Sequence, residues 1–248
     1  MSIIAVGSAK ASPGATTLSV GLGLSWEATT GRRAVLIEAD GDGGVLAARF
    51  GLASTPSLVE LSATARHELT IDRLQSSCQL LADQLPTLVA PGCGDTTSLV
   101  LAPLAKRLAT GLGQLDDIDA VVDVGRVRQH SPAVEFVQHC DLLVLVARPQ
   151  FDQLVPLVHQ ARRVISHDIP TSLVCVGDRP YPPTEMAKAS QLNLLGVMSH
   201  EPRVAQALEH GLPANQRHRR LLLWRTLAEL VHRIHFRLLA GADGQEAA

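Results

Sequence analysis

The sequence predicts an α/β domain built on a mostly parallel, twisted sheet with helices on both faces. Two observations carry that reading. Short, fully apolar runs recur along the chain, and apolar-periodic stretches separate most of them. Fully apolar strands mark a sheet covered on both faces, and alternation with helices marks parallel pairing through crossovers.

Taken in order, Ser2-Ile3-Ile4-Ala5-Val6-Gly7 reads as the first buried strand. Small and hydroxyl residues follow, then a helix over 16–30 with Gly31 as its C-cap. Ala34-Val35-Leu36-Ile37 is the second strand, ending in Glu38-Ala39-Asp40 and the turn Gly41-Asp42-Gly43-Gly44. Thr87-Leu88-Val89-Ala90 is the third, stopped by Pro91-Gly92. Ala120-Val121-Val122-Asp123-Val124-Gly125 is the fourth and carries an acid near its carboxyl end. Residues 142–146, 172–176 and 194–198 supply three more, and helical periodicity fills 98–115, 131–139, 152–167, 183–192 and 202–211. Right-handed crossovers then place ligands at the carboxyl ends of the strands. Residues 1–240 show neither a linker-like shift nor a repeat, so one domain is expected there, with 241–248 as a small, polar, disordered tail.

The 248 residues are 46% hydrophobic and 19% charged, with a net charge of -2. That length can bury a sizeable core. The charge balance does not mark a general nucleic-acid binder, although a local basic patch stays open. Lys10, Lys106 and Lys188 are the only lysines, so nearly all positive charge is arginine. A high-GC genome gives such a bias, and Lys10 stands out against it. Cys78, Cys93, Cys140 and Cys175 are widely spaced, which argues against a zinc ribbon or an iron–sulfur cluster. They read as small buried hydrophobes in a reducing cytosol. With no signal-like N-terminus and no apolar run of ~18 residues, a cytoplasmic protein is expected, with peripheral contact to membrane or nucleoid left open.

The first strand, a small-residue loop and a helix starting at Thr16 make an anion site by geometry alone. Backbone N–H groups converge there and the helix dipole favours negative charge. The loop reads Gly7-Ser8-Ala9-Lys10-Ala11-Ser12-Pro13-Gly14-Ala15-Thr16-Thr17. Against G-x-x-x-x-G-K-[ST], Gly14 is the second glycine and Thr16 the hydroxyl, but Ala9 replaces the first glycine and Ala15 the lysine. As a bare pattern the match is weak.

The surrounding residues sharpen it. The loop resembles the deviant Walker A motif, K-G-G-x-G-K-T, of the MinD/ParA family of P-loop partitioning ATPases. That resemblance makes Lys10 the signature lysine, a catalytic group that reaches across a dimer to the partner's nucleotide. It makes Thr16 a magnesium ligand and Thr17 a further phosphate contact, with Ala11, Ser12, Pro13, Gly14 and Ala15 completing the nucleotide-binding loop. Glu38-Ala39-Asp40 is similar to the family's acidic second strand, where Asp40 would help position magnesium and the attacking water. The fourth strand is similar to Walker B, with Asp123 holding magnesium through water. Cys140-Asp141-Leu142-Leu143-Val144-Leu145-Val146 resembles the strand that follows. Residues 196–207 resemble the stretch G-v-i-p-x-D-p-r-v-x-x-A, and 208–213 its A-l-x-x-G-l-p ending. The resemblance implies a bacterial homodimer that binds ATP and Mg2+ and acts in positioning, partitioning or assembly of a cellular cargo through an unnamed protein partner. If active, it is a slow Mg-dependent ATPase.

The departures point to an alternative. Ala15 removes an ammonium whose charge-assisted hydrogen bond is worth about 1.5–3 kcal/mol, or roughly 10- to 100-fold in affinity. The loss is larger in the transition state. Ala11 and Ser12 replace permissive glycines, and Pro13 removes an N–H donor. Glu38 replaces a more usual Asp, and Gly177 or Asp178 stands where the family often has an Asn for the base. Arg126 and Arg148, just beyond strand ends, are candidates by position to replace the lysine. The second reading is therefore a catalytically degenerate pseudo-ATPase serving as a scaffold or regulator. An oxidoreductase would want G-x-G-x-x-G after the first strand, which is absent. Tyr181 is the only tyrosine, which disfavours the family's tyrosine-kinase branch. Bland readings stay open beside these: Lys10 as an exposed loop lysine, Thr16 as an N-cap, Asp40 and Asp42 as turn acids, and Asp123 as a strand-end cap.

Near the C-terminus, Arg217, Arg219, Arg220, Arg225, Arg233 and Arg237 face a single acid, Glu229. Leu223, Leu227, Leu230, Ile234 and Leu238 recur at helical spacing, with Trp224 near the start. Such a helix can meet a membrane surface, an acidic partner or DNA phosphates. It can equally pack its leucine stripe on the sheet, as the family's final helix does.

Overall fold

Strand β1 (Ile3–Ser8) leads through the small-residue loop into helix α1 (Ala15–Thr30) and strand β2 (Arg33–Glu38). The chain then makes an excursion through α2 (Leu46–Phe50), α3 (Leu58–Ala63) and α4 (Ile71–Ser76), and returns by the hairpin of β3 (Gln79–Leu81) and β4 (Leu85–Leu88). Alternation follows: α5 (Gly94–Leu112), β5 (Ile118–Arg126), α6 (Val134–His139), β6 (Leu142–Ala147), α7 (Phe151–Ile165), β7 (Thr171–Val176), α8 (Pro183–Ser190) and β8 (Asn193–Met198). Helices α9 (Pro202–Glu209) and α10 (Leu222–Glu246) complete it. This is a computed structural model, and it describes residues 1–10, 13–63, 68–116, 118–209 and 221–246.

Among the described residues, eight strands form one sheet in the order β3-β4-β2-β5-β1-β6-β7-β8. Neighbours pair in parallel throughout, except that β3 runs antiparallel to β4 at one edge. The expected mostly parallel architecture is therefore present, and its seven apolar runs are seven of these strands. Successive side chains in a strand point to opposite faces. Ile3, Ala5, Val122 and Leu143 accordingly pack with Leu104, Phe136, Leu157 and Met186 of α5 to α8. Ile4, Val6, Val121 and Val144 pack with Leu18 and Trp26 of α1 and Leu227 of α10 on the other face.

Helix α10 is committed to that second layer. Leu223, Trp224, Leu227, Leu230 and Ile234 are all buried and Leu238 is half-buried against the same layer, so most of the stripe and the tryptophan are not available to a membrane surface. Arg225 and Arg233 remain on the exposed side, and Arg233 donates to the Leu195 carbonyl while pairing with Glu229. Arg217, Arg219 and Arg220 lie outside the described residues. The backbone helix continues to Glu246, beyond the boundary at 240 expected from the sequence. Among the described residues, no helix is long and apolar enough to cross a membrane. Of the four cysteines expected to be buried, Cys140 and Cys175 are; Cys78 is half-buried and Cys93 is exposed where α5 begins.

At the amino end of β5, Asp119 is a hub that no sequence signal marks. Its carboxylate accepts from Trp26 Nε1 at 3.0 Å, Arg32 Nε at 2.8 Å and the Ser2 N–H at 2.9 Å. Burial alone would raise its pKa, but the Arg32, Trp26 and Ser2 donors together hold it below the ordinary carboxylate range. A carboxylate depressed in the folded state contributes stability that is full above its unfolded pKa, about 3.9, and is lost as pH falls through the folded value. Asp119→Asn should flatten the acid limb of the Tm–pH profile below about pH 4 and cost about 1.5–3 kcal/mol at pH 7. An unchanged acid limb in calorimetry would remove Asp119 from that role.

Candidate functional site

A cleft of about 670 Å³ opens at the carboxyl ends of the central strands, and its lining includes Gly14, Thr16, Asp40, Arg126, Arg148 and Met198. Pockets for small ligands and cofactors span about 300–1,000 Å³. Its floor is made by the loop. Gly14 has φ 110° and ψ 25°, a left-handed conformation that turns the chain sharply into α1. Gly14, at the cap position, has no side chain to cap that helix, and the first turn of α1 opens on the cleft, which Ala15, Thr16 and Thr17 line. Thr16 sits inside the helix, two residues past the cap position, so it is not the N-cap.

The Thr16 hydroxyl instead hydrogen-bonds the carboxylate of Asp123. That acid is 1% exposed and also accepts from the Gly125 N–H at 3.1 Å. Burial pushes Asp123 up to about 7, the Thr16 and Gly125 bonds pull it down, and the charges of Glu38 and Asp40 add to the rise. The register of β2 and β5 explains the clustering, because Glu38 lies directly beside Asp123.

Glu38 and Asp40 have different tasks. The Glu38 carboxylate accepts from the N–H groups of Val45 at 2.6 Å, Leu46 at 2.9 Å and Ala90 at 2.9 Å. It ties the glycine-rich turn to the end of β4, a reach that suits the longer acid. Asp40 points into the cleft and accepts the Asp42 N–H at 2.9 Å. It packs on Gly125, where a Cβ would stand 2.0 Å from Asp40 Cγ and where φ is +60°. Only glycine leaves room for this acid there. Asp42 belongs to the turn, in a two-pronged ion pair with Arg128 at 2.7 and 2.9 Å.

The structure thus brings Thr16, Asp40 and Asp123 together, with Pro13, Gly14, Ala15 and Thr17 beside them. Lys10 does not join them. It stands outside the cleft, its Nζ 2.7 Å from Asp152 Oδ2 on α7, with side chains 46% and 58% exposed. Ala11 and Ser12 lie outside the described residues. Gly177 and Asp178 do not line the cleft, where Val176 and Met198 form the wall instead. Arg49 of α2 and His200 also line it. Arg49 stands in a segment with no periodic or motif signal, and His200 falls in the 196–207 stretch, at a position to which the resemblance assigns no role.

No protein-family model matches the sequence, and no curated protein matches it. Solved structures do. The ParA family ATPase of Chlorobium tepidum TLS superposes with a TM-score of 0.77 at 14% identity, over 93% of this chain and 97% of that one. The cell division ATPase MinD of Pyrococcus furiosus gives 0.75 at 18%, over 94% and 98%. The septum site-determining protein MinD of Pyrococcus horikoshii OT3, complexed with Mg-ADP, gives 0.68 at 16%, over 94% and 95%. The fold is that of the ParA/MinD ATPases. At these identities the likeness speaks for the fold, and the chemistry rests on the residues present.

Those residues suit a Mg-nucleotide in the ParA/MinD fold. Among the described residues, no group of three or more His, Cys, Asp or Glu could hold a metal ion by itself. Magnesium sites commonly use one or two carboxylates and take their other ligands from phosphate and water. A hydroxyl bonded to a buried acid, with a second acid alongside, is such a partial ligand set. On the cation side, the Nε atoms of Arg126 and Arg148 are hidden from solvent and have no hydrogen-bond partner.

Proposed function

We propose that this chain is a nucleotide-binding protein of the ParA/MinD type that positions, partitions or assembles a cellular cargo as a cytoplasmic homodimer, with weak or very slow ATP hydrolysis. The observation that carries the reading is the Thr16–Asp123 bond beside Asp40, at the mouth of an uncapped helix. The loop and first-turn N–H groups would receive the phosphates, while Thr16, Asp40 and Asp123 would hold Mg2+. Bound there, Mg2+ supplies neutralisation of charge on the transferring phosphoryl group. Lys10 would act across the dimer. Its face also carries Phe151 and Val155, 66% and 46% exposed, which suits a face that a second copy covers. Contact with a membrane or with DNA would run through exposed arginines of α10, since most of its apolar stripe is internal.

Mg-ATP at a hundred times its Kd should stabilise the protein by about 2.7 kcal/mol, raising Tm by about 5–10 °C in a chain of this size. Lys10→Ala should abolish that shift together with the nucleotide-dependent dimer seen by sedimentation. No heat of binding at millimolar ATP would overturn nucleotide binding altogether. Ala15 favours a second reading, a pseudo-ATPase scaffold, and binding without phosphate release would select it.

A further inference from the structure

We infer that Arg126 and Arg148 form a guanidinium pair that grips the terminal phosphates of the nucleotide, in place of the lysine absent at Ala15. The inference deepens the proposed function and rests on it. Topology makes the pair. Strands β5 and β6 flank β1 on either side. Ser8, the last residue of β1, is in register with Arg126 on β5 and with Val146 on β6, two residues before Arg148. The two arginines therefore enter the cleft from opposite sides of the phosphate loop, and both line it.

Their bonding state says what they await. Each Nε is hidden from solvent and has no acceptor. A buried guanidinium N–H without a partner costs free energy, so native proteins rarely keep one without a use. Nearby acids are engaged elsewhere. Asp42 is held by Arg128, Asp152 by Lys10, and Asp123 by Thr16 and the Gly125 N–H. Asp40 feels the charge of Arg126 but takes its hydrogen bond from the Asp42 N–H. Glu201, which also lines the cleft, accepts from the Ser199 hydroxyl and the Leu223 N–H. Among the described residues, that leaves an acceptor brought by a ligand.

That ligand is a di- or triphosphate more than a carboxylate. Two planar donor forks, set on either side of the N-terminus of α1, where the helix dipole favours negative charge, match several oxygens on adjacent phosphates. A lysine at position 15 would approach from the helix as a single point charge. The arginines approach from the strand ends and hold a fixed geometry.

Titration calorimetry on the full chain, with Mg-ATP and with magnesium tripolyphosphate as probes, tests the pair. Arg126→Ala and Arg148→Ala should each weaken both probes by about 10- to 100-fold, and Arg148→Lys should recover only part of the loss. Because neither Nε is bonded, the apo Tm of the alanine variants should stay level or rise. Adding Ala15→Lys to Arg148→Ala should restore affinity for both probes. If wild type binds Mg-ATP and the arginine variants bind it equally well, the inference fails while the proposed function stands. Wild type that binds neither probe overturns both. An apo Tm that drops sharply in the alanine and lysine variants alike would make the arginines structural and overturn the pair.

Discussion

Asp123→Asn is expected to move two measurements in opposite directions: the protein alone becomes more stable, while its response to Mg-nucleotide collapses. Asp123 is buried beside Glu38 and Asp40, and burial is the main reason its pKa lies near 7. At pH 8 the folded chain holds this carboxylate ionised at a cost of about 2–4 kcal/mol relative to an unfolded pKa of about 3.9. The sign follows from the direction of the shift. A raised acid contributes stability below its unfolded pKa and loses it as pH climbs through the folded value, so the wild type weakens between about pH 4 and 7. Asparagine keeps an oxygen for the Gly125 N–H and the Thr16 hydroxyl but carries no charge. It also removes the acid expected to hold Mg2+ through water, a kind of contact whose loss costs about 10- to 100-fold. Scanning calorimetry at pH 8 and titration with Mg-ATP read the two effects. A lower apo Tm with an intact Mg-ATP response would reduce Asp123 to a strand-end cap.

What could be read from the sequence was local. A strand buried on both faces leaves a continuous apolar run, so Leu142 to Val146 announces β6 without help from its neighbours. Strand β3 has three residues and α2 has five, too few to display any period. The small-residue loop between β1 and α1 was visible for the same reason as the strands, because its residues are contiguous. Asp40 and Asp123 sit at or near a strand's carboxyl end, where the crossover rule places ligands, and the family resemblance is what gives them a role there. What failed to show depended on distance along the chain. Lys10 meets Asp152 across 142 positions, and Asp119 meets Trp26 across 93. Arg126 and Arg148 had a place in sequence, but their convergence needed the strand order. Glu38 looked like a mild variant of a site acid. Its three backbone hydrogen bonds instead make it the clasp of the turn that holds Asp40.

Trp26→Ala should come close to unfolding the protein. The side chain is fully buried between α1 and the sheet, stacks edge-on against His235 of α10 at 6.5 Å, and donates to Asp119 at 3.0 Å. Truncating a buried tryptophan costs about 3–5 kcal/mol through lost burial and the cavity left behind. The same change takes a donor from a buried carboxylate, adding about 1–3 kcal/mol. Against a total stability of about 5–15 kcal/mol, the sum is a large fraction. Trp26→Phe separates the two contributions, because it keeps most of the ring volume and loses only the indole N–H. Urea unfolding followed by circular dichroism should therefore rank wild type above Trp26→Phe and that variant well above Trp26→Ala. If Trp26→Ala lost under about 1 kcal/mol, below even an ordinary large-to-small core change, α1 would not be clamped through this residue. The small-residue loop would then owe its position to the strands alone, since α1 is the element that carries Thr16 to Asp123.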